Sequence, residues 1–161
     1  MSNQGVPYDC SRGLWRDAVG PAFLDRLRQT VAAEVLPHAD EIVRQDVYPV
    51  VVIKALAGRG YTSLTLPSEW GGGASGYGPC AALFEEGSYA SAGVGISLIT
   101  ILQAQNLIQA FGQESLKAAV LPEFRQGLIT PYALTEANHG SDIRSLDTKA
   151  VRSADGWRLN G

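Results

Sequence analysis

The sequence has few cysteines, no excess of basic residues and no long hydrophobic run. Lys and Arg total 13 against 16 Asp and Glu, a net charge of −3, which disfavours a nucleic-acid binder because no surplus positive charge faces phosphates. Two cysteines, Cys10 and Cys80, cannot form the dense disulfide framework of a small secreted domain. The most apolar run, residues 94–102, is far shorter than the roughly 20 residues of a membrane-spanning helix. Residues 1–13 lack a signal-peptide core, so we expect a soluble cytoplasmic protein without a membrane span.

The composition that remains is typical of a globular protein. Hydrophobic residues make up 45% of the chain and charged residues 18%. These shares exclude an intrinsically disordered protein. A length of 161 residues fits one domain, or one domain and part of a second.

Hydrophobic residues at helical spacing predict a helical domain over residues 21–127, after an irregular N-terminus at residues 1–20. A first amphipathic helix begins at Pro21, and Pro37 should kink or restart it. The apolar helix over residues 94–111 should be buried on most sides. Further predicted segments are helices at 50–58, 81–89 and 114–121, an extended segment at 61–66 and a glycine-rich loop at 67–79.

The pattern changes after Gly127. Residues 128–134 are extended in character, and Asp155-Gly156 within the alternating residues 147–159 is a strong β-hairpin signal. One hairpin is less than the about three strands that an independently stable sheet needs. We therefore predict a mainly α chain in which residues 128–161 are the first strands of an incomplete, truncated β domain.

Three features suggest ligand chemistry but lack the context that such chemistry needs. Residues 71–76 match the G-x-G-x-x-G pattern of dinucleotide-binding enzymes, yet no strand precedes them. We keep a nicotinamide enzyme as a disfavoured alternative and expect a flexible connector. His38 has no second histidine or cysteine at ligand spacing, so we predict no metal site. A cysteine nucleophile paired with a histidine in space stays open.

One segment, residues 132–142 (YALTEANHGSD), combines an apolar strand with a small polar loop. Its turn backbone and the hydroxyls of Thr135 and Ser141 suit a flat, acceptor-rich ring or a phosphate. An ordinary turn explains the composition equally well, with Asn138-His139-Gly140 as turn residues. The residues alone leave both interpretations open.

Tyr-Ala-Leu-Thr-Glu at residues 132–136, followed by Gly-Ser-Asp at 140–142, resembles the flavin-binding signature of the acyl-CoA dehydrogenase family. Other parts of the chain are similar to that family in the same order, from about residue 20 onward. They are residues 35–41 (its first long helix), 60–72 (the loop after its second helix), Glu85-Glu86, Phe111-Gly112 and 155–161 (its first middle-domain hairpin).

The resemblance implies a fold and a reaction. Family members have an N-terminal helical domain, a middle β domain and a C-terminal four-helix domain, and this chain would be the first domain and the opening of the second. They bind FAD and oxidise an acyl thioester across Cα–Cβ. A glutamate base takes the α-proton while the β-hydrogen leaves as hydride to the flavin. That glutamate has no counterpart in this chain, so we predict no catalytic residue here.

The same resemblance assigns site residues. The Thr135 hydroxyl would bond the polar edge of the flavin ring, and Ser141 would lie at the flavin and thioester end of the substrate. The predicted cofactor-binding residues are Tyr132, Ala133, Leu134, Thr135 and Ser141. The predicted substrate-binding residues are Ser141, Ile96 and Ile99.

The resemblance also implies partners: an acyl thioester of coenzyme A or acyl carrier protein, an electron-transfer acceptor, and further copies of the chain or a C-terminal partner chain. A second hypothesis is a non-catalytic helical partner subunit, or a relic that keeps the family fold. The family often has Pro-Gly-Ala where this chain has Ala137-Asn138-His139. His139 therefore either contacts a different substrate head group or only fills a turn.

Overall fold

The computed structural model of the protein describes residues 19–161. Cys10 and most of the predicted irregular segment 1–20 lie outside these residues. The chain divides into two compact units, the first ending at Pro131 and the second comprising Tyr132–Gly161. We call them the helical unit and the hairpin unit.

The described part of the helical unit contains six α-helices, which confirms the prediction of a mainly α-helical chain. The helices are α1 (Pro21–Glu34), α2 (Leu36–Gln45), α3 (Val50–Gly58), α4 (Tyr77–Ala90), α5 (Ala92–Phe111) and α6 (Glu114–Val120). Short 3-10 helices occupy Tyr61–Ser63, Ser68–Trp70 and Leu121–Gln126.

Prolines determine how the first helices begin. Pro21 lies in the first turn of α1 and Pro37 in the first turn of α2, where a missing N–H removes no helical hydrogen bond. Pro37 cannot continue α1 because it has no N–H to donate to the preceding turn. The predicted restart is therefore present. α4 begins at Tyr77, earlier than the predicted Ala81, because Pro79 is also tolerated within a first turn.

The core of the helical unit forms where α4 and α5 pack together and α1 packs on α4. α3 contacts both α1 and the turn at Leu121–Gln126. Burial of apolar side chains is the main favourable contribution to the stability of such a core. Large side chains that are completely buried include Phe124, Leu27, Ile53, Leu56, Leu66 and Ile101.

A buried amide ties α5 to the chain that follows α3. Gln105 is fully buried. Its Nε2 donates to the carbonyl oxygen of Thr62 at 3.0 Å, and its Oε1 accepts from the Thr65 hydroxyl at 2.9 Å. Both polar ends of the amide are thus satisfied, as a buried polar group requires.

The prediction that residues 61–66 are extended is wrong. Gly60 has a φ of 86°, and the chain turns there into the 3-10 helix Tyr61–Ser63. Its apolar residues suggested a strand, but within the described chain no strand lies beside this segment to pair with it. Contacts with the core decide its conformation instead.

The glycine-rich loop is a packed segment and not the expected flexible connector. A Cβ on Gly72 would lie 2.0 Å from the Leu66 carbonyl oxygen, so only glycine fits this approach. The amides of residues 73–75 donate to carbonyl oxygens within residues 63–66 at 2.8–3.1 Å. Because these amides are already bonded within the chain, they are not available to bind a dinucleotide phosphate.

The expectation that the helix at residues 94–111 is buried on most sides is wrong for this chain. Ile96 is 57% exposed, Leu107 44% and Phe111 82%. α5 is also the one described helix whose length and composition would allow it to cross a membrane. Its buried Gln105 and its packing on α4 are typical of the core helix of a globular domain.

The predicted hairpin is present in the hairpin unit. Strands β1 (Lys149–Ser153) and β2 (Gly156–Asn160) pair antiparallel. The two turn residues are Ala154 and Asp155, and Gly156, with a φ of 136°, pairs with Ser153. Residues 128–134, expected to be extended, form no strand ladder with the described chain.

Candidate functional site

The segment at residues 132–142 runs along a groove of the hairpin unit. The groove has a volume of about 520 Å³. One wall consists of residues 133–138, and residues 146–148 with Gly161 line the rest. We call it the hairpin groove.

This groove brings together three of the five predicted cofactor-binding residues. Ala133, Leu134 and Thr135 line it directly. Tyr132 is half-buried just before them, and Ser141 is exposed beyond them; neither is a lining residue.

Residues 132–135 carry backbone groups that are free to bind a ligand. Within the described chain, none of their N–H or C=O groups takes part in a backbone hydrogen bond. The side chain of Thr135 is exposed at the groove. Free amides, carbonyls and a hydroxyl in one row can bond the donor and acceptor atoms along the edge of a planar heterocycle. The segment therefore fits the flavin ring that the resemblance implies.

The next residue, Glu136, holds the groove together. Its Oε2 accepts from the Asp147 amide at 2.6 Å and its Oε1 from the Thr148 amide at 2.9 Å. The pKa of Glu136 is held below its usual range by a hydrogen bond from the Thr148 side chain and by the two hydrogen bonds from the Asp147 and Thr148 amides. A carboxylate with a lowered pKa is a weaker base, so Glu136 is poorly suited to act as a general base.

His139 closes the same loop from the other side. Its Nε2 lies 3.3 Å from Asp147 Oδ2, and its side chain is 19% exposed. Its carbonyl oxygen accepts from the Glu136 amide at 3.0 Å. Possible ligand atoms of Glu136, His139 and Asp147 lie within 4.8 Å of one another. Since both Glu136 oxygens already accept amide hydrogen bonds, we assign this cluster to holding the loop and not to a cation.

A second groove, of about 560 Å³, lies in the helical unit between α5 and the chain that joins α2 to α3. We call it the helix groove. Ile96, Ser97 and Thr100 form its α5 wall together with Gly93, whereas Ile99 is half-buried and does not line it. The Ser97 hydroxyl donates to the Gly93 carbonyl oxygen at 2.7 Å, and the Thr100 hydroxyl donates to the Ser97 carbonyl oxygen at 2.9 Å. Both hydroxyls are therefore satisfied within the helix. The opposite wall consists of Ile42, Val43, Asp46, Val47, Tyr48 and Pro49.

Cys80, Glu85 and Glu86 lie in the helical unit, outside the hairpin groove. Burial raises the pKa of the Cys80 thiol to about 11, which disfavours the thiolate that a nucleophile needs. Glu86 is buried, and its Oε1 accepts from Arg28 Nε at 2.9 Å, which links α4 to α1. Burial, and secondarily the charge of Glu86, raise the pKa of Glu85.

Comparison with known proteins identifies the family. Residues 21–127 match the family model described as "Acyl-CoA dehydrogenase, N-terminal domain". The chain belongs to the acyl-CoA dehydrogenase family. This match confirms the resemblance drawn from the short motifs, and it includes all six helices described above.

Relatives within the acyl-CoA dehydrogenase family match most of this chain. The chain is 39% identical over 140 residues to (2S)-methylsuccinyl-CoA dehydrogenase of Cereibacter sphaeroides, covering 85% of itself and 25% of that relative. It is 31% identical over 142 residues to the mitochondrial short-chain specific acyl-CoA dehydrogenase of Homo sapiens, covering 86% of itself and 34% of the relative. Among solved structures, butyryl-CoA dehydrogenase from Megasphaera elsdenii has a TM-score of 0.77 at 27% identity, with 87% of this chain and 38% of that one covered. The chain thus spans between a quarter and two fifths of the length of these relatives.

Two residues that organise the hairpin groove carry no signal in the sequence. Asp147 and Thr148 meet Glu136 although they lie 11 and 12 residues away in the sequence. No spacing rule joins a turn glutamate to amides that precede a strand. The one available signal was the glutamate of the family motif followed three residues later by His139, where this chain departs from that motif.

Proposed function

We propose that this chain provides the N-terminal helical domain (residues 21–127) and the opening of the flavin-binding β domain (residues 128–161) of an FAD-dependent acyl-thioester dehydrogenase. The reaction is α,β-desaturation of an acyl-CoA or an acyl-carrier-protein thioester. The observation that carries this proposal is the unpaired backbone of residues 132–135 beside the hairpin groove, in a chain of the acyl-CoA dehydrogenase family.

FAD, when bound, supplies the acceptor for the hydride that leaves the substrate Cβ. This chain's part is to orient the flavin ring. When FAD is bound, the backbone of Ala133, Leu134 and Thr135 would hold the polar edge of the ring, and the Thr135 hydroxyl would donate to it. Tyr132 and Ser141 would flank this contact, with Ser141 toward the thioester.

The acyl group meets α5. Ile96 presents a 57% exposed apolar side chain to the helix groove, and the half-buried Ile99 lies one turn further along. Substituting Ile96→Trp or Ile99→Trp in the assembled enzyme should narrow the acyl pocket and shift the chain-length preference toward shorter thioesters. If the two residues serve only packing, stability falls and the preference does not change.

Among the residues that the structure describes, we assign none as the base that removes the α-proton. The carboxylates that line the hairpin groove, Glu136 and Asp147, are engaged with amides and with His139. The base therefore comes from another part of the assembled protein, a longer chain or a partner chain. An electron-transfer acceptor is the proposed partner that would take the electrons from the reduced cofactor. The cytoplasm and a homo-oligomer are the proposed setting.

A non-catalytic partner subunit is the second candidate, because the engaged carboxylates of the hairpin groove, Glu136 and Asp147, agree with it as well as with a base supplied from elsewhere. Such a subunit would keep the fold without flavin chemistry. The two candidates differ in one result. An assembly that contains a family glutamate base and this chain either bleaches its flavin with an acyl thioester or fails to do so.

The test is assembly of this chain with the remaining part of a family relative, such as (2S)-methylsuccinyl-CoA dehydrogenase. We expect the assembly to retain FAD and the chain alone to be colourless. Thr135→Val should weaken FAD binding by about 1–3 kcal/mol because one bond to a buried acceptor is lost. Ser153→Ala in β1, outside the groove, is the matched control. Equal flavin content in all three proteins would remove Thr135 from the flavin site, and a colourless assembly would contradict the proposed function.

A further inference from the structure

Thr135 needs support that no regular secondary structure supplies. It lies in a stretch without any strand or helix, residues 128–148, and its side chain is exposed. A ligand-binding group must be held close to its productive position by its surroundings. Something other than a strand ladder has to set the position of this segment.

The side chain of Glu136, the residue next to Thr135, is hydrogen-bonded to the residues that precede the hairpin. Its Oε2 accepts a hydrogen bond from the Asp147 amide at 2.6 Å, and its Oε1 accepts one from the Thr148 amide at 2.9 Å. A carboxylate that accepts hydrogen bonds from two adjacent amides is fixed in both position and rotation. Such charge-assisted hydrogen bonds are roughly twice as strong as neutral ones. β1 begins at Lys149, immediately after these amides.

A second link closes the loop. The Glu136 amide donates to the His139 carbonyl oxygen at 3.0 Å, and the His139 amide donates to the Glu136 carbonyl oxygen at 3.3 Å. The His139 imidazole then reaches Asp147, with Nε2 3.3 Å from Oδ2. Asp147 therefore receives contacts from both ends of the turn, through its amide and through its carboxylate. His139 and Asp147 are titratable groups close to the Glu136 carboxylate, since possible ligand atoms of the three side chains lie within 4.8 Å of one another.

We propose that Glu136 is a positioning residue: its carboxylate, bonded to Asp147 and Thr148, holds Thr135 at a set place beside the hairpin groove, with the His139–Asp147 pair closing the loop. This inference rests on the proposed function for the role of Thr135, but it makes a claim about the chain itself. In the adjacent pair Thr135-Glu136, the threonine faces the ligand and the glutamate sets its position.

The experiment is ¹⁵N NMR of the 161-residue chain, with three variants. Glu136→Gln keeps the shape and removes the charge, Glu136→Asp keeps the charge, and Asp155→Asn in the hairpin turn is the matched carboxylate-to-amide control. We expect Glu136→Gln to move the amide resonances of Asp147, Thr148 and Thr135, and to speed the hydrogen exchange of the bonded Asp147 and Thr148 amides several-fold. Glu136→Asp should cause smaller changes than Glu136→Gln. The control Asp155→Asn should leave the resonances of all three amides unchanged.

A pH titration adds a measurement that a merely structural residue would not affect. In the unsubstituted chain the Thr135, Asp147 and Thr148 amides should titrate together with one acidic midpoint, and Glu136→Gln should abolish that transition. If Asp147 and Thr148 titrate while Thr135 does not, Glu136 orders the hairpin without positioning Thr135, and the proposal is overturned. It is also overturned if none of the three responds.

The flavin is tested separately, with lumiflavin as the probe. Shifts at Thr135 on adding lumiflavin to the unsubstituted chain, weakened by Glu136→Gln and not by Asp155→Asn, support the positioning role. Absence of any lumiflavin shift in a chain whose amides still respond to Glu136→Gln leaves the positioning result standing, and the flavin contact is then decided by the flavin content of the Thr135→Val assembly. The two failures are thus distinguishable.

Discussion

The two units of this chain are stabilised in different ways. The helical unit has a core of fully buried side chains such as Leu27, Ile53 and Phe124, whereas no residue of the hairpin unit, Tyr132–Gly161, is buried. Hydrophobic burial therefore supports the first unit. The second depends on a two-stranded ladder and on the polar contacts of Glu136. The difference shows that the family motif lies where few apolar contacts hold the backbone.

The exposure of the hairpin unit suits the ligand-binding role that we propose for it. Residues that bind a ligand need free backbone groups and accessible side chains, and an exposed segment on a supporting scaffold offers both. The same exposure makes local opening easy, because regions with few buried contacts open at low free energy. Residues 132–135 combine free backbone groups with few buried contacts. The hydrogen bonds of the adjacent Glu136 restrain the local opening of this segment.

The largest expected effect comes from the core of the helical unit. Phe124→Ala should lower the free energy of unfolding by about 3–5 kcal/mol, because a fully buried aromatic ring is replaced by a cavity. Leu159→Ala in β2, where the side chain is 73% exposed, should change it by less than about 0.5 kcal/mol. Urea unfolding followed by far-UV circular dichroism measures both. Equal losses would show that the two units do not differ as described.

A second substitution tests the close packing of the glycine loop. Gly72→Ala should cost about 1–3 kcal/mol, because its Cβ would lie 2.0 Å from the Leu66 carbonyl oxygen and the loop must shift. Gly76→Ala is the control, since nothing lies within 4 Å of its Cβ and its φ is −70°. It should change stability by less than about 1 kcal/mol. A loop that tolerates both substitutions equally would be a flexible connector after all.

The smallest effect is a pH dependence confined to the hairpin unit. The pKa of Glu136 is lowered in the folded chain, so its contribution is present above the ordinary glutamate pKa and is lost as the pH falls through the lowered value. Between neutral pH and strong acid, we expect limited proteolysis with an acid-active protease to cleave residues 137–148 faster while the helical unit stays intact. In the Glu136→Gln variant, residues 137–148 should be cleaved at this faster rate already at the higher pH. Uniform cleavage of both units on acidification would contradict this expectation.

Much of the helical unit was predictable because its signals are local. Pro21 and Pro37 place helix starts through the missing N–H. In the hairpin unit, Asp155-Gly156 marked the hairpin, although the turn residues are Ala154 and Asp155 and Gly156 begins β2. The errors occurred where contacts distant in sequence determine the conformation. Residues 61–66 turn at Gly60 and contact Gln105, 40 residues beyond Thr65, which donates to its Oε1. The apolar pattern of α5 predicted burial, although the side chains of Ile96 and Phe111 are exposed.

The candidate site was predictable in part. The motif at residues 132–142 was found through its resemblance to the family, and the helical part of that resemblance is confirmed by the family match to residues 21–127. The contacts of Glu136 with Asp147 and Thr148 were not predictable, because the intervening residues have no regular structure that would define a spacing. The roles of Thr135, Ser141, Ile96 and Ile99 stay predictions.

By itself, the sequence determined the helix periodicity, the proline and glycine punctuation, the hairpin turn and the family motif, since each depends on residues close together in the chain. Only the tertiary structure decided which apolar faces are buried, that the glycine loop packs on residues 63–66, and that Glu136 closes onto Asp147 and Thr148. The physical reason is that burial and hydrogen-bond pairing join groups far apart in sequence. A local pattern specifies which groups seek partners, and the fold specifies which partners they meet.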